Sequence, residues 1–392
     1  MTAMLGVLGG GQLGNYFVLA AKNMGYKTAV LDPDSHAPAG VNADIHIVAP
    51  FDDLDALNQL ASLCSAVTIE FENPPMTALE HLAQQVTVRP SASAVAIAQN
   101  RRAEKQFCQS IGLSVAPYAV LENQNDAARI SRDGVTQTHL DPFCTPLIMK
   151  TSRNGYDGKG QQIVQQLSDI MEHWNLLGNV PCIVEQKIDL DAEFSVIIAR
   201  GEDGEIASFM PTENVHVEGI LDVSTAPSHL DSHLLEQGQL AAINIAARLN
   251  YIGVLAVEFF VSHNNLFVNE LAPRPHNSGH WTLDAACTSQ FEQQVRALVG
   301  KPLGDPSMTC SAVAMVNLLG DRWTQGEPQF DKAVADSSAH VHLYGKRTPR
   351  QDARWGISPS PAKLLMLQPI TLCHCAQPSP AKRCRPPSCR RG

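Results

Sequence analysis

The chain has 392 residues, 44% apolar and 17% charged, with 39 acidic against 29 basic side chains and a formal net charge of −10. That length holds two to three domains with ample core. The acidic balance argues against a nucleic-acid-binding surface as the main function, and no apolar run approaches the ~20 residues of a membrane span.

The N-terminus, MTAMLGVLGGGQLG, shows neither a charged leader region nor a cleavage site, and reads as the start of a cytoplasmic protein. Met4–Leu8 is a short apolar strand. Gly9-Gly10-Gly11-Gln12-Leu13-Gly14 follows, then an apolar-periodic helix to about Met24, ended by Gly25. A second strand, Thr28–Leu31, ends in Asp32. This is a doubly wound α/β start, with G-x-G-x-x-G between strand and helix. The motif admits two readings: a dinucleotide fingerprint, or a turn for any ligand bearing phosphate or carboxylate at a helix N-terminus. A further strand (AVTIEFE, 66–72) ends in Glu72-Asn73-Pro74-Pro75, whose tip belongs at the carboxyl edge of the sheet and reads either as a ligand-contacting loop or as simple turn chemistry.

Ala92–Gln99 forms a helix, and Asn100-Arg101-Arg102-Ala-Glu-Lys105 opens the next. Such a basic cluster is usually a solvated face, but Arg101 is kept as a candidate phosphate contact. Residues 131–146 show no clear period and read as loop. Leu147–Lys150 is a strand ending in Lys. Soon after come Gly155-Tyr156-Asp157-Gly158-Lys159-Gly160-Gln161, whose N–H groups and ammonium suit a polyphosphate, although no Walker A sequence is present. Glu185, Gln186, Lys187 and Ile188 lie on the strand that begins at Cys182 and could meet a flat base through backbone groups. Glu193 begins another strand, and His216 lies in a polar stretch beyond it. Six cysteines (64, 108, 144, 182, 287 and 310) show no metal or disulfide spacing and read as small core residues.

The densest chemistry lies in VEFFVSHNNLFVNELAPRPHNSGH, residues 257–280. Two apolar runs, Val254–Val261 and Leu266–Leu271, flank His263-Asn264-Asn265, a three-residue hairpin loop. Centring that loop on Asn264 sets Glu258 opposite Glu270 on one face. Facing carboxylates between apolar runs repel unless a cation separates them, and oxygen ligands without nearby Cys favour Mg²⁺ over zinc. Asn269 adds a neutral oxygen. Leu230–Asn250 and Phe291–Val299 read as core helices, and a strand at Ala312–Leu318 opens a small C-terminal module.

A Lys-ended strand, a GYDGKG loop, a V-E-Q strand and Glu…Asn-Glu on a hairpin together resemble the ATP-grasp ligases. RPHNSGHW (274–281) and the opening GGGQLG narrow the resemblance to the 5-(carboxyamino)imidazole ribonucleotide synthase family, over Met4 to about Arg350. It implies a fold of mixed α/β and α+β class: a doubly wound substrate-binding domain (1–99), a two-lobed ATP-grasp core (100–290, with a mobile lid at about 115–185) and a small β-rich module (291–350). It also implies carboxylation of 5-aminoimidazole ribonucleotide with ATP and bicarbonate, through carboxyphosphate, in a homodimer that uses Mg²⁺ and binds neither nucleic acid nor membrane.

By motif, Arg101, Lys150, residues 155–161, Glu185–Ile188, Glu193, His216, Asn269 and Glu270 contact ATP. Glu258 and Glu270 hold the metal. Arg274, His276 and Lys346 are catalytic. Gln12, Glu72, Asn73, Asn277, Ser278, Lys346 and Arg354 contact the ribonucleotide. The glycine turn then serves that substrate rather than NAD. A formate-using glycinamide ribonucleotide transformylase, an NAD(P) oxidoreductase and an ATP-binding protein without turnover are the competing readings.

Two departures stand out. Asn15 replaces the family's usual Arg. After Arg350 the family continues with a segment like PGRKMGH, whereas this chain reads QDARWGIS. Reverse-translated as CAG GAC GCA AGA TGG GGC ATA TCA with one C placed in front, it becomes PGRKMGHI. From Gln351 on there are seven Pro, four Cys, seven Lys plus Arg and one acid. The expectation is therefore a one-nucleotide deletion after Arg350, leaving an aberrant tail (351–392), a truncated last module, and Arg354 as the displaced remnant of an Arg-Lys pair. Neither the Cys373-x-Cys375 nor the Cys384-x4-Cys389 spacing is that of a zinc finger.

Overall fold

The computed structural model describes residues 3–134, 145–155, 160–318, 331, 335 and 337–343, with the backbone of 371–375. Its first domain is a parallel sheet of β1 (Met4–Leu8), β2 (Lys27–Leu31), β3 (Ile45–Ile47), β4 (Ala66–Ile69) and β5 (Thr87–Val88), in the order β3-β2-β1-β4-β5. Nearly continuous apolar runs in β1, β2 and β4 are buried on both faces, as a sheet flanked by helices requires. The order reverses between β1 and β4. Helix α1 (Gln12–Asn23) starts at that crevice, where open α/β sheets bind their ligands.

A four-stranded antiparallel sheet follows: β6 (Tyr118–Leu121), β7 (Leu147–Thr151), β8 (Gln161–Val164) and β9 (Cys182–Gln186), ordered β6-β9-β7-β8. The expected loop at 131–146 is helical in its first part, since a helix runs Gln124–Asp133 and stops at Gly134, which has positive φ.

The largest sheet runs β15-β14-β10-β12-β13-β16-β18-β17, with β11 (Ile206–Ser208) on β10. Its members are β10 (Ala192–Arg200), β12 (Thr212–Val217), β13 (Ile220–Ala226), β14 (Gly253–Ser262), β15 (Asn265–Ala272), β16 (Val313–Asn317), β17 (Ala339–His342) and β18 (Thr371–Cys375). The C-terminal strands thus extend the central sheet rather than form a separate layer. Strand β18 pairs with both β16 and β17, so residues expected to belong to an aberrant tail fill a place in the sheet.

The helix Ser232–Arg248 lies on this sheet through Gly238, where a Cβ would come within 2.6 Å of the Phe194 ring. Phe194 and Phe259 stack at 5.0 Å beneath it and lock β10 to β14. Gln294 joins the domains: its carbonyl accepts from Val254 N–H at 2.6 Å and its amide donates to Thr68 Oγ1 at 2.5 Å. Cys64, Cys108 and Cys182 are buried free thiols, as expected, whereas Cys287 is disulfide-bonded. No helix among the described residues is long and apolar enough to cross a membrane.

Candidate active site

A cavity of about 960 Å³ opens where the three sheets meet. Its floor is the β14–β15 hairpin, on which Glu258 pairs with Glu270 as expected. The route to that pairing differs from the sequence reading. The turn has two residues, His263 and Asn264, both at positive φ, and Ser262 pairs with Asn265. Such a turn alone would set Glu258 opposite residue 269. A bulge between Glu258 and Phe259 takes up Asn269 as the extra residue and restores Glu258↔Glu270. Asn269 Nδ2 donates to Glu258 Oε2 at 3.0 Å. Burial opposes ionisation of Glu258, but the hydrogen bonds from His276 and Asn269 outweigh it and hold the carboxyl down at about 2.

Among the described residues no cluster of three or more His, Cys, Asp or Glu is placed to hold a metal. Two carboxylates still fit Mg²⁺, which commonly takes one or two from the protein and the rest from phosphate and water. The facing pair on β14 and β15, with the Asn269 amide beside it, is a donor set of that kind.

The wall opposite is built on one helix, Arg101–Ser110, capped by Asn100. Arg101 Nη1 meets Glu270 Oε2 at 3.0 Å. One turn on, Lys105 reaches Glu185 Oε1 at 2.5 Å, while Lys150 reaches Glu185 Oε2 at 2.6 Å. Burial raises the Glu185 pKa, but the two ammonium groups outweigh it and bring it to about 2. Arg102 pairs instead with exposed Glu122, the bland reading of that basic cluster. Glu193 and His216 Nδ1 lie 3.0 Å apart across β10 and β12.

The roof is the loop after β15. Arg274 forms an ion pair with Glu72 of the first domain. The His276 backbone is held twice by Gln290, whose Oε1 accepts from His276 N–H at 2.9 Å and whose Nε2 donates to His276 O at 2.7 Å. That grip aims His276 Nε2 at Glu258 Oε1, 3.2 Å away. Gln12, Asn73, Gln161, Gln186, Lys187, Ile188 and Asn277 also line the cavity, and Gly155 lies in a small side pocket. Ser278, expected at the substrate, is fully buried and hydrogen-bonded to Ser195 and His276, so its place is behind the surface. Tyr156, Asp157, Gly158, Lys159, Lys346 and Arg354 lie outside the described residues.

The ATP-grasp domain family matches residues 106–291, the ribonucleotide synthetase pre-ATP-grasp family matches 1–99, and the phosphoribosylaminoimidazole carboxylase C-terminal domain matches 313–352. The N5-carboxyaminoimidazole ribonucleotide synthase of Bacillus subtilis is 38% identical over 357 residues, covering 90% of each chain. The chain belongs to the N5-carboxyaminoimidazole ribonucleotide synthase family. Like other ATP-grasp members of this family, it is an ATP-dependent ligase. The Staphylococcus aureus synthetase complexed with ADP superposes with a TM-score of 0.80 at 31% identity, covering 94% of this chain and 92% of that one. The Aspergillus clavatus synthase in complex with ADP and 5-aminoimidazole ribonucleotide gives 0.79 at 27%, covering 96% and 94%.

In the glycine turn of this synthase family member, N–H groups are already engaged by acids of the same domain. Gly11 and Gly14 N–H donate to the Glu70 carboxylate at 2.8 and 3.1 Å, and Gly10 N–H donates to Asp32 at 2.7 Å. A Cβ on Gly9 or Gly11 would meet Glu70 within 2.5 Å, so those glycines make room for an internal acid. Burial pushes the Glu70 carboxyl upward against these hydrogen bonds. Asn15 is buried and its Oδ1 accepts from Asn42 Nδ2 at 2.7 Å. Glu70, Lys105 and Gln290 escaped the sequence reading. Only Lys105 left a trace there, four residues after Arg101.

Proposed function

We propose that this chain carboxylates 5-aminoimidazole ribonucleotide, using ATP and bicarbonate through carboxyphosphate, in purine biosynthesis. One observation carries the reading: Lys150 and Glu185, the Glu258–Glu270 pair, and the Arg274–His276 loop with Glu72 open on a single cavity. Lys150 and Arg101 supply positive charge to phosphate oxygens. Backbone groups of Glu185–Ile188 face the base, and Glu193 with His216 faces the sugar. Glu258 and Glu270 would hold Mg²⁺, which when bound neutralises charge in the phosphoryl step.

A bicarbonate oxygen attacks the γ-phosphorus and ADP leaves. The exocyclic amine then attacks the carboxyl carbon, phosphate leaves, and the amine gives up a proton. Arg274 and His276 orient bicarbonate. Gln12, Glu72, Asn73 and Asn277 face the ribonucleotide, and Lys346 with Arg354 serves its phosphate. Positioning rather than covalent catalysis does most of the work. The homodimer expected from the resemblance is checked by sedimentation.

A second reading, ATP binding without turnover, is favoured by the place where the C-terminal match stops, residue 352, two beyond Arg350. ADP release with ATP, Mg²⁺ and bicarbonate, measured with and without 5-aminoimidazole ribonucleotide, separates the two. Release dependent on the ribonucleotide supports carboxylation. Nucleotide binding without release supports the second reading.

A further inference from the structure

Behind His276 runs a row of buried polar side chains that the reaction above does not use. Strand pairing sets Ser195 of β10 beside Glu258 of β14, and Asn214 of β12 beside Ser224 of β13. The pleat turns them to the face that carries the carboxylates. Ser224 Oγ donates to Asn214 Oδ1 at 2.8 Å, and Asn214 Nδ2 donates to Ser195 Oγ at 3.1 Å. Ser195 and Ser278 hydroxyls lie 2.6 Å apart, and Ser278 Oγ lies 2.8 Å from His276 Nδ1. Ser195 and Ser278 have no exposed surface, Ser224 has 1% and Asn214 6%.

The donors in this row point one way. The Ser195 oxygen already accepts from Asn214, so its hydrogen goes to Ser278, and the Ser278 hydrogen goes to Nδ1. The Ser278 backbone N–H approaches the same Nδ1 at 3.4 Å. Nδ1 is therefore the acceptor, and in the neutral ring the proton sits on Nε2, facing Glu258 Oε1 at 3.2 Å.

We infer that Ser224, Asn214, Ser195 and Ser278 are positioning residues that fix His276 as the Nε2–H tautomer, with Nδ1 the acceptor and the Nε2 hydrogen turned to Glu258 at the cavity. The role assigned to His276 rests on the proposed function; the tautomer does not.

The test is long-range proton–nitrogen NMR on protein with labelled histidine, His276 being assigned by the His276→Asn variant. The expected signature is a protonated Nε2 and a bare Nδ1. Asn214→Asp replaces the amide donor by an acceptor, draws the Ser195 hydrogen inward, and should bring in the Nδ1–H tautomer. Ser195→Ala breaks the row at similar volume and should lower kcat about 10-fold with KM for ATP within twofold, while Ser195→Thr keeps the hydroxyl and the rate. An Nδ1–H signal in the unaltered protein would overturn the inference. So would Ser195→Ala with unchanged ring signals and unchanged kcat. An Nε2–H signal without any carboxylation would leave the inference standing and remove the proposed function instead.

Discussion

Asn269 holds Glu258 across the hairpin at 3.0 Å because it is the residue left over at the bulge, with no cross-strand partner of its own. The two carboxylates face each other through that extra residue, and the amide fixes one of them before any cation arrives. Glu258→Gln and Glu270→Gln should each lower kcat by ~10² or more, since each removes a charge aimed at the phosphoryl step. Asn269→Ala leaves both charges in place and should weaken Mg²⁺ binding ~10-fold. Metal-dependent ADP release, titrated with Mg²⁺ for each variant, distinguishes these effects. Equal behaviour of all three would count against a metal at this pair.

Lys105 stands behind Glu185, out of reach of bulk water, with side-chain exposure of 3% for both. Removing it leaves the carboxylate with Lys150 alone, so Lys105→Met should cost about 3 kcal/mol of stability. The folded pKa of Glu185 is depressed to about 2 from an ordinary 4.5. Its contribution is therefore fully present above about 4.5 and is lost as pH falls towards 2. Urea unfolding across that window should show a shallower acid loss for Lys105→Met than for the unaltered chain. Matching slopes would mean the pair contributes no pH-dependent stability.

Much of this site could be read in the chain because its signals are local. Alternating runs on both sides of His263-Asn264 announce a hairpin, and period two then fixes which carboxylates share a face. The two-residue turn and the bulge at Asn269 stayed hidden, since their errors of register cancel at Glu270. Glu70 was invisible for a different reason. Nothing in AVTIEFE says that its fifth residue folds back under a glycine turn nearly sixty positions earlier, so the turn looked like an open anion site. Ser195, Asn214 and Ser224 become a row only when three strands pair.

Glu70 carries a test of that correction. Glu70→Ala would strand the N–H groups of Gly11 and Gly14, at about 2–3 kcal/mol of stability. Thermal unfolding should show the loss, and saturating ribonucleotide should not restore it if the turn is structural. Restoration by an added anion would instead mark the turn as a ligand site.

His280 is fully buried, beside Tyr16 and Phe291, and its Nδ1 lies 2.8 Å from Asn277 O. Burial, above all, lowers its pKa from 6.5 to about 4. A base held neutral in this way favours the folded state above its unfolded value of about 6.5. That advantage is lost as pH falls through 4, and amounts to about 3 kcal/mol. Stability should therefore decline from pH 6.5 to 4, ahead of the window set by Glu185. His280→Gln should flatten the decline at the cost of a lower plateau. A decline unchanged in that variant would assign it to other groups.

The reading frame after Arg350 gives the last prediction. One added nucleotide turns QDARWGIS into PGRKMGHI, which restores an Arg-Lys pair soon after Lys346. Those cations suit a substrate phosphate as the present tail, with Arg354 alone nearby, does not. Restoring the frame should therefore lower KM for the ribonucleotide at least ~10-fold and leave KM for ATP unchanged, because Lys150, Glu185, Glu193 and His216 all precede the break. The strand at Thr371–Cys375 bears on the same comparison, since it occupies a place beside β16 that the restored chain would fill with other residues. Resequencing the locus comes first. A clean read that encodes Gln351 onward would end the deletion hypothesis and make the tail a genuine part of this synthase.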